Sequence, residues 1–241
     1  MQTHTISESD VQSLPAHVRW SRALRALTRV LAHPEETDQV LVFSTHANAG
    51  SVHHRLELFY NDPRGQELFD RQRAINSHTV DLDKLAALPE GTLGHAYATF
   101  MRSHGLTPDV FDNPPEDVAD PRVAYVIQRM RQTHDLWHVV TRAETDPAGE
   151  VALQAFTFAQ VHAPSAGILA ALGTLRTLRY DRRIVADVAA MLRLGARAEK
   201  LVVFNWEDHW ETPLVEVRRM LGLPEAPRTI GGYTNLAFEA A

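Results

Sequence analysis

Four side chains of metal-ligating type fall within one short stretch, 134–150, which reads HDLWHVVTRAETDPAGE: His134, Asp135 and His138, then Glu150 after eleven intervening residues. An α-helix turns by about 100° per residue, so positions 134, 135 and 138 stand at about 0°, 100° and 40°, and all three can face one ion with His138 in the middle. The helix that must carry them has a good start, with Asp120 to cap it and Pro121 for its first turn; Val123, Val126, Ile127, Met130, His134, Trp137, His138 and Thr141 then keep a helical period. A second start stands at Asp146 and Pro147, and Val151, Leu153, Ala155, Phe156, Phe158 and Ala159 continue it as a buried helix. The connection is short enough for an antiparallel helical hairpin, with His138 one turn before the loop and Glu150 one turn after it. Two imidazoles and two carboxylates suit Zn²⁺, Mn²⁺ or Fe²⁺ better than Mg²⁺ or Ca²⁺, which take all-oxygen shells. The plain alternative is that the carboxylates are helix-end charges and the histidines fill a core. Convergence of all four weighs against it, because buried, unpaired carboxylates are costly.

Other residues stand within reach of such a site. His95, on a predicted helix over 93–103 with Tyr97, Phe100 and Met101, is placed to assist as a proton donor, although a core histidine is the simpler reading. Arg129 and Arg131 share the ligand-bearing helix; they serve either to neutralise a substrate carboxylate or, more simply, as surface ion pairs.

The spacing His-Asp, two residues, His, eleven residues, Glu also resembles the signature of the coenzyme Q (ubiquinone) biosynthesis protein 4 family. LPEGTLGHAYATFM (88–101), the Gly-Leu-Thr-Pro after it, YVIQRMRQTHD (125–135), GEVALQAFTFAQ (149–160) and NWEDHWETPLVEVRRMLG (205–222) are similar to that family's stretches in the same order, covering the chain from about residue 37 onward. The resemblance places the family's metal ligands on His134, Asp135, His138 and Glu150. It implies a helical fold, a bound zinc (or iron or manganese) ion and oxidative removal of the C1 carboxyl of a prenylated hydroxybenzoate. It also implies association with other quinone-biosynthesis proteins at a membrane surface. Where the family has glycine after Thr141 this chain has Arg142, which bears on the shape of the loop. Zinc carries no electrons, so an oxidative step needs an electron-rich substrate that meets oxygen directly, or a redox metal.

Composition narrows the classes. The chain has 241 residues, 44% of them hydrophobic, and no cysteine, enough for one sizeable core and no disulfide framework. A formal charge of −6 argues against a nucleic-acid partner. The first residues have neither a secretion signal nor an Arg-rich presequence, which points to a bacterial cytoplasm, with peripheral contact at the inner face of the membrane. Residues 151–175 carry no formal charge, yet Gln154, Gln160, His162, Pro164 and Ser165 interrupt them, so they read as two buried helices rather than a membrane span.

The expected architecture is all-α: a loosely held tail over 1–15 and a single helical domain of nine to eleven helices over 16–241. Helices are read over 17–32, 37–48 and 50–60 (hinged at Gly50), 66–73, 184–195, 199–210 and from Thr212-Pro213 to Gly222, with a long Pro- and acid-rich loop over 105–121. His53 and His54, being adjacent, read as solvated. Strands have room only at 39–43 and 201–204. The small face of Ala166, Gly167, Ala170, Ala171, Gly173 and Thr174 reads first as close helix packing and second as room for a hydrocarbon tail; Arg176, Arg179, Arg182 and Arg183 read as a solvated cluster.

Two rivals to a decarboxylase stand. One is a His-Asp metal phosphohydrolase recruiting His104 and Asp187, a scheme in which Glu150 has no place. The other is a non-catalytic scaffold that holds prenyl lipid while its metal is structural. A homodimer is compatible with either.

Overall fold

Helix starts in this chain are set by short side chains followed by proline. Asp120 accepts the N–H of Arg122 ahead of Pro121, Asp146 that of Gly149 ahead of Pro147, and Asp62 that of Arg64 ahead of Pro63, while Thr92 accepts from His95. Each cap satisfies an amide that the first turn leaves unpaired and stabilises by roughly 1 kcal/mol. The computed structural model describes residues 11, 13–32, 37–108 and 120–233. In them lie eleven α-helices: α1 (Ala16–Ala32), α2 (Thr37–Asn48), α3 (Val52–Tyr60), α4 (Pro63–Asp70), α5 (Leu82–Ala86), α6 (Leu93–Ser103), α7 (Pro121–Thr141), α8 (Pro147–Val161), α9 (Pro164–Thr177), α10 (Arg183–Arg197) and α11 (Leu214–Met220). Among the described residues the only β pairings are two isolated bridges, so the fold is all-helical, and 39–43 is helix while 201–203 is a 3₁₀ turn.

The core is organised on α8, which packs along α10 and α9 and buries Ala148, Ala152, Leu153, Ala155 and Phe156. Close approach to α9 requires its glycines: a Cβ at Gly173 would stand 2.3 Å from a Val151 methyl, and one at Gly167 2.9 Å from the Phe158 ring. The small face is thus occupied by helix packing. Gln160, one of the polar residues that break the uncharged stretch, is buried and donates to the Gly195 carbonyl at 2.7 Å while accepting the Leu201 N–H at 2.9 Å. It ties the end of α8 to the end of α10. The first two helices form a satellite, with Ala23, Ala26 and Leu27 against Phe43 and Ala47, seated on Ile168, Leu169 and Leu172 of α9. The Asn48 side chain pins it there by pairing with both the amide and the hydroxyl of Ser165.

Several expectations are corrected. The helix read over 66–73 is Pro63–Asp70, because Asp62 and Pro63, taken as part of a turn, are its cap and first residue. The helix read over 199–210 is two 3₁₀ turns, Leu201–Val203 and Trp206–Asp208. Trp206 is fully buried against Phe204, whereas Trp210 stacks on Tyr97, so the two indoles face different neighbours. No side chain caps α11; the Leu214 amide instead donates to the Gly91 carbonyl at 2.8 Å. Val11 is completely buried, so the chain joins the core before residue 16, and positions 1–10 lie outside the described residues. Most of the predicted loop over 105–121, residues 109–119, also lies outside them.

Candidate metal centre

The last turns of α7 and the first turn of α8 bring His134, His138 and Glu150 together. His138 Nε2 lies 3.2 Å from His134 Nε2 and 3.1 Å from Glu150 Oε1, and His134 Nε2 lies 3.8 Å from Glu150 Oε2. Donors bonded at about 2.0–2.1 Å to a tetrahedral zinc ion stand about 3.3 Å apart, so these three atoms already occupy one face of such a site. The His138 tautomer is fixed: Nδ1–H donates to the Ala143 carbonyl at 2.9 Å, which leaves the Nε2 lone pair aimed at the gathering point. His138 itself is buried, stacked on Phe100 with centroids 5.6 Å apart, while the Glu150 side chain is 38% exposed. Three protein donors with an open side is the form of a site that admits a further ligand.

Electrostatics separate the members. Burial, and then the neighbouring His138, pulls His134 below its ordinary value. Burial pulls on His138 too, but its hydrogen bond and charge attraction to Glu150 prevail and the net shift is upward. Glu150 moves down, its desolvation outweighed by His138 and His134. Asp135 moves up, chiefly through burial, and its carboxylate is outside the trio of converging donors. The structure therefore assembles three of the four expected ligands and leaves the fourth adjacent.

The loop between the helices has the expected five residues, 142–146, but α7 and α8 are splayed. Their contact runs through side chains, with Trp137 and Phe156 centroids 6.0 Å apart, while the close backbone neighbours of α8 are α10 and α9. Two bulky rings wedge one pair of helices where small residues close the other. Arg142 ends α7 in the left-handed conformation, φ 55° and ψ 36°, which explains why glycine suits that position and shows that arginine adopts it. A segment near the end of the chain then straps the loop. The Glu144 amide donates to the Ile230 carbonyl and the Ile230 amide to the Arg142 carbonyl, both at 2.9 Å. Gly232 N–H adds a bond of 2.8 Å to Asp146 Oδ1, the atom that caps α8. The neighbouring Gly231 has φ +84°, and a Cβ there would stand 2.4 Å from that same oxygen. Arg218, buried on α11, donates to the Val139 and Val140 carbonyls at 3.1 and 2.9 Å and so closes the exposed C-terminus of the ligand-bearing helix.

Beside His138 opens a cleft of about 390 Å³ bounded by His95, Phe100, His104, Arg142 and Glu144, with His138 the residue it shares with the trio. His95 is therefore where the sequence placed it, within reach of the site, and His104 joins it with Nδ1 held by the Phe100 carbonyl at 2.9 Å. Tyr97 is not on the cleft; it is fully buried against Trp210, its hydroxyl pushed upward by burial and then by Asp135. Arg131 is half-buried and does not line the cleft either. Arg129 is corrected from a surface pair or substrate clamp: it is fully buried and grips Glu207 with two bonds, of 2.5 and 2.9 Å, plus the Phe204 carbonyl. Asp187 is committed to Arg228 at 2.5 Å and to the Tyr233 hydroxyl at 2.9 Å, so the phosphohydrolase pairing with His104 is not assembled. Phe100 as a cleft wall, Arg218 and the strap were missed. Phe100 follows Gly94 and Tyr97 on one predicted helix face, whereas nothing local marks the other two.

The family model of the coenzyme Q (ubiquinone) biosynthesis protein Coq4 matches residues 11–227. This chain belongs to the Coq4 family. Similar Coq4 proteins include the mitochondrial ubiquinone biosynthesis protein COQ4 of Coprinopsis cinerea, 31% identical over 199 residues that cover 82% of this chain and 68% of the relative. The COQ4 homologue of Danio rerio is 31% identical over 231 residues, covering 92% and 85%. A crystal structure from Nostoc punctiforme, of a protein provisionally named for ubiquinone biosynthesis, superposes with a TM-score of 0.69 at 28% identity, over 84% of this chain and 97% of that one. Membership in Coq4 makes this a ubiquinone-biosynthesis protein of all-helical fold.

Proposed function

We propose that this Coq4 protein removes the C1 carboxyl of a prenylated hydroxybenzoate in a metal-dependent step. The observation that carries the reading is the preset trio of His134, His138 and Glu150, open on one side and sharing His138 with a ring-sized cleft. The donor set fits a zinc-class divalent cation, with Asp135 beside it as the expected fourth ligand. Such an ion, when bound, supplies Lewis-acid stabilisation of the negative charge that develops as CO₂ leaves. The chain's own groups do the rest. Phe100 offers a face for the ring, Arg142 on the cleft wall attracts the carboxylate, and His95 or His104 holds the proton that replaces it. About 390 Å³ suits a ring with short substituents, at the small end of ligand sites, so the polyprenyl tail leaves by the open side.

Among the described residues no helix is long and apolar enough to cross a membrane. We further propose that the protein works in the bacterial cytoplasm, meeting the inner face of the membrane and other quinone-biosynthesis proteins peripherally. The test is complementation of a strain that lacks the ring-decarboxylation step, with mass spectrometry of accumulated quinone precursors. Restored loss of C1 carboxyl by the native chain, and not by His134→Ala, supports the proposal. Retained carboxyl at normal expression, with prenyl lipid co-purifying, overturns it in favour of a lipid-holding scaffold.

A further inference from the structure

A second pair of imidazoles meets on the far side of α8 from its metal-ligating first turn. His54, on α3, and His162, in the turn between α8 and α9, are 108 residues apart in sequence, yet His54 Nε2 lies 3.2 Å from His162 Nδ1. Their rings are tilted by 45° with centroids 5.3 Å apart. Nitrogen lone pairs do not face each other at this range with nothing between them; they share a proton or a cation. The separation is also the edge of a tetrahedral zinc site, about 3.3 Å for bonds of about 2.0–2.1 Å. We propose that His54 and His162 form a second divalent-cation site, for an imidazole-seeking ion of the Zn²⁺, Ni²⁺ or Cu²⁺ class, independent of the trio on α7 and α8.

Both donors are exposed, so an ion can reach them and keep water on its remaining positions. Both are also backed by fixed structure. His54 rides on a helix, and the His162 backbone is set by its amide bond to the Phe158 carbonyl at 2.9 Å, with the Phe158 ring edge-on to the imidazole at 6.4 Å. His162 holds φ 51°, a left-handed position that favours glycine or asparagine, so the imidazole is kept at some cost in backbone energy. An ion here staples α3 to the turn that begins α9. His53 and His54 are both exposed, as expected, and His54 in addition meets His162.

The test uses the full chain carrying His134→Ala and Glu150→Ala, titrated with Cu²⁺ alone and read by electron paramagnetic resonance and by thermal unfolding. One further equivalent is expected, with superhyperfine coupling from two nitrogens and a thermal midpoint that rises with free Cu²⁺. Affinity falls roughly 100-fold in His54→Gln and in His162→Asn, since losing one arm of a chelate removes its effective concentration; asparagine preserves the left-handed backbone. Ni²⁺ competes better than Mn²⁺. If folding of the doubly substituted background is compromised, His134→Gln alone leaves the trio one imidazole, so a two-nitrogen signal in that background still reports on His54 and His162. A two-nitrogen signal that survives His162→Asn, no second equivalent, or equal competition by Mn²⁺ would each overturn the site.

Discussion

The helix α7 carries two charged clusters two turns apart, and they are opposites. At its middle, Arg129 and Glu207 form a sealed bidentate pair in which each charge has its counterpart and the Phe204 carbonyl takes a further donor. At its end, His134, His138 and Glu150 turn their donor atoms to a common point, with a second carboxylate, Asp135, held near and pushed toward its protonated form. The first cluster pairs both of its charges with protein atoms alone, although Arg129 Nε is left without a partner. The second gathers more lone pairs than protons to fill them, an arrangement that a cation relieves.

The contrast can be broken from either side. Arg129→Met leaves Glu207 buried without a partner and should cost about 3–5 kcal/mol in urea denaturation; metal content per folded molecule should not change. Glu150→Ala reverses the pattern. Metal content falls by about one ion per chain in elemental analysis, while metal-free stability changes by less than about 1 kcal/mol because the carboxylate is partly exposed. A loss of several kcal/mol on Glu150→Ala in the metal-free protein would mean that the trio is a structural ion pair like the first.

Acid should sharpen the difference. His138 is raised above its ordinary 6.5 and His134 lowered below it, so His138 keeps its proton to higher pH than His134 does. Metal binding requires it neutral, hence affinity falls as pH drops through the His138 titration, by about one log unit per pH unit; competition with a chromophoric chelator across pH 6–8 measures it. In the metal-free protein the His138 shift has the opposite sign: its contribution to stability is present below 6.5 and lost as pH rises through the raised value. The smallest effect belongs to Arg142→Gly. Relief of the left-handed backbone and the added freedom of the unfolded glycine nearly cancel, so stability should move by under about 1 kcal/mol. Carboxylate ligands of the cleft should bind more weakly.

What the sequence disclosed follows the range of the forces concerned. Caps are local, so Asp120-Pro121 and Asp146-Pro147 announced the two helices of the centre, whereas the helical angles that let positions 134, 135 and 138 face one ion gave no sign that the Asp135 carboxylate would stand outside the trio. Trp206 and Trp210 misled because a four-residue spacing imitates a helix when each indole has a separate tertiary partner, Phe204 and Tyr97. Glu207 lies 78 residues from Arg129, and no pattern around either announces the other. The same holds for Arg218, whose acceptors are carbonyls, which every residue possesses.

The strap at Ile230 and Gly232 has a consequence for biosynthesis. The loop whose Ala143 carbonyl orients His138 is held by Ile230 and by Gly232, the latter 86 residues beyond its partner Asp146, so the loop cannot take its final form until those residues have been made. The preset trio is thus a late product of folding, since it waits on a contact of long sequence separation.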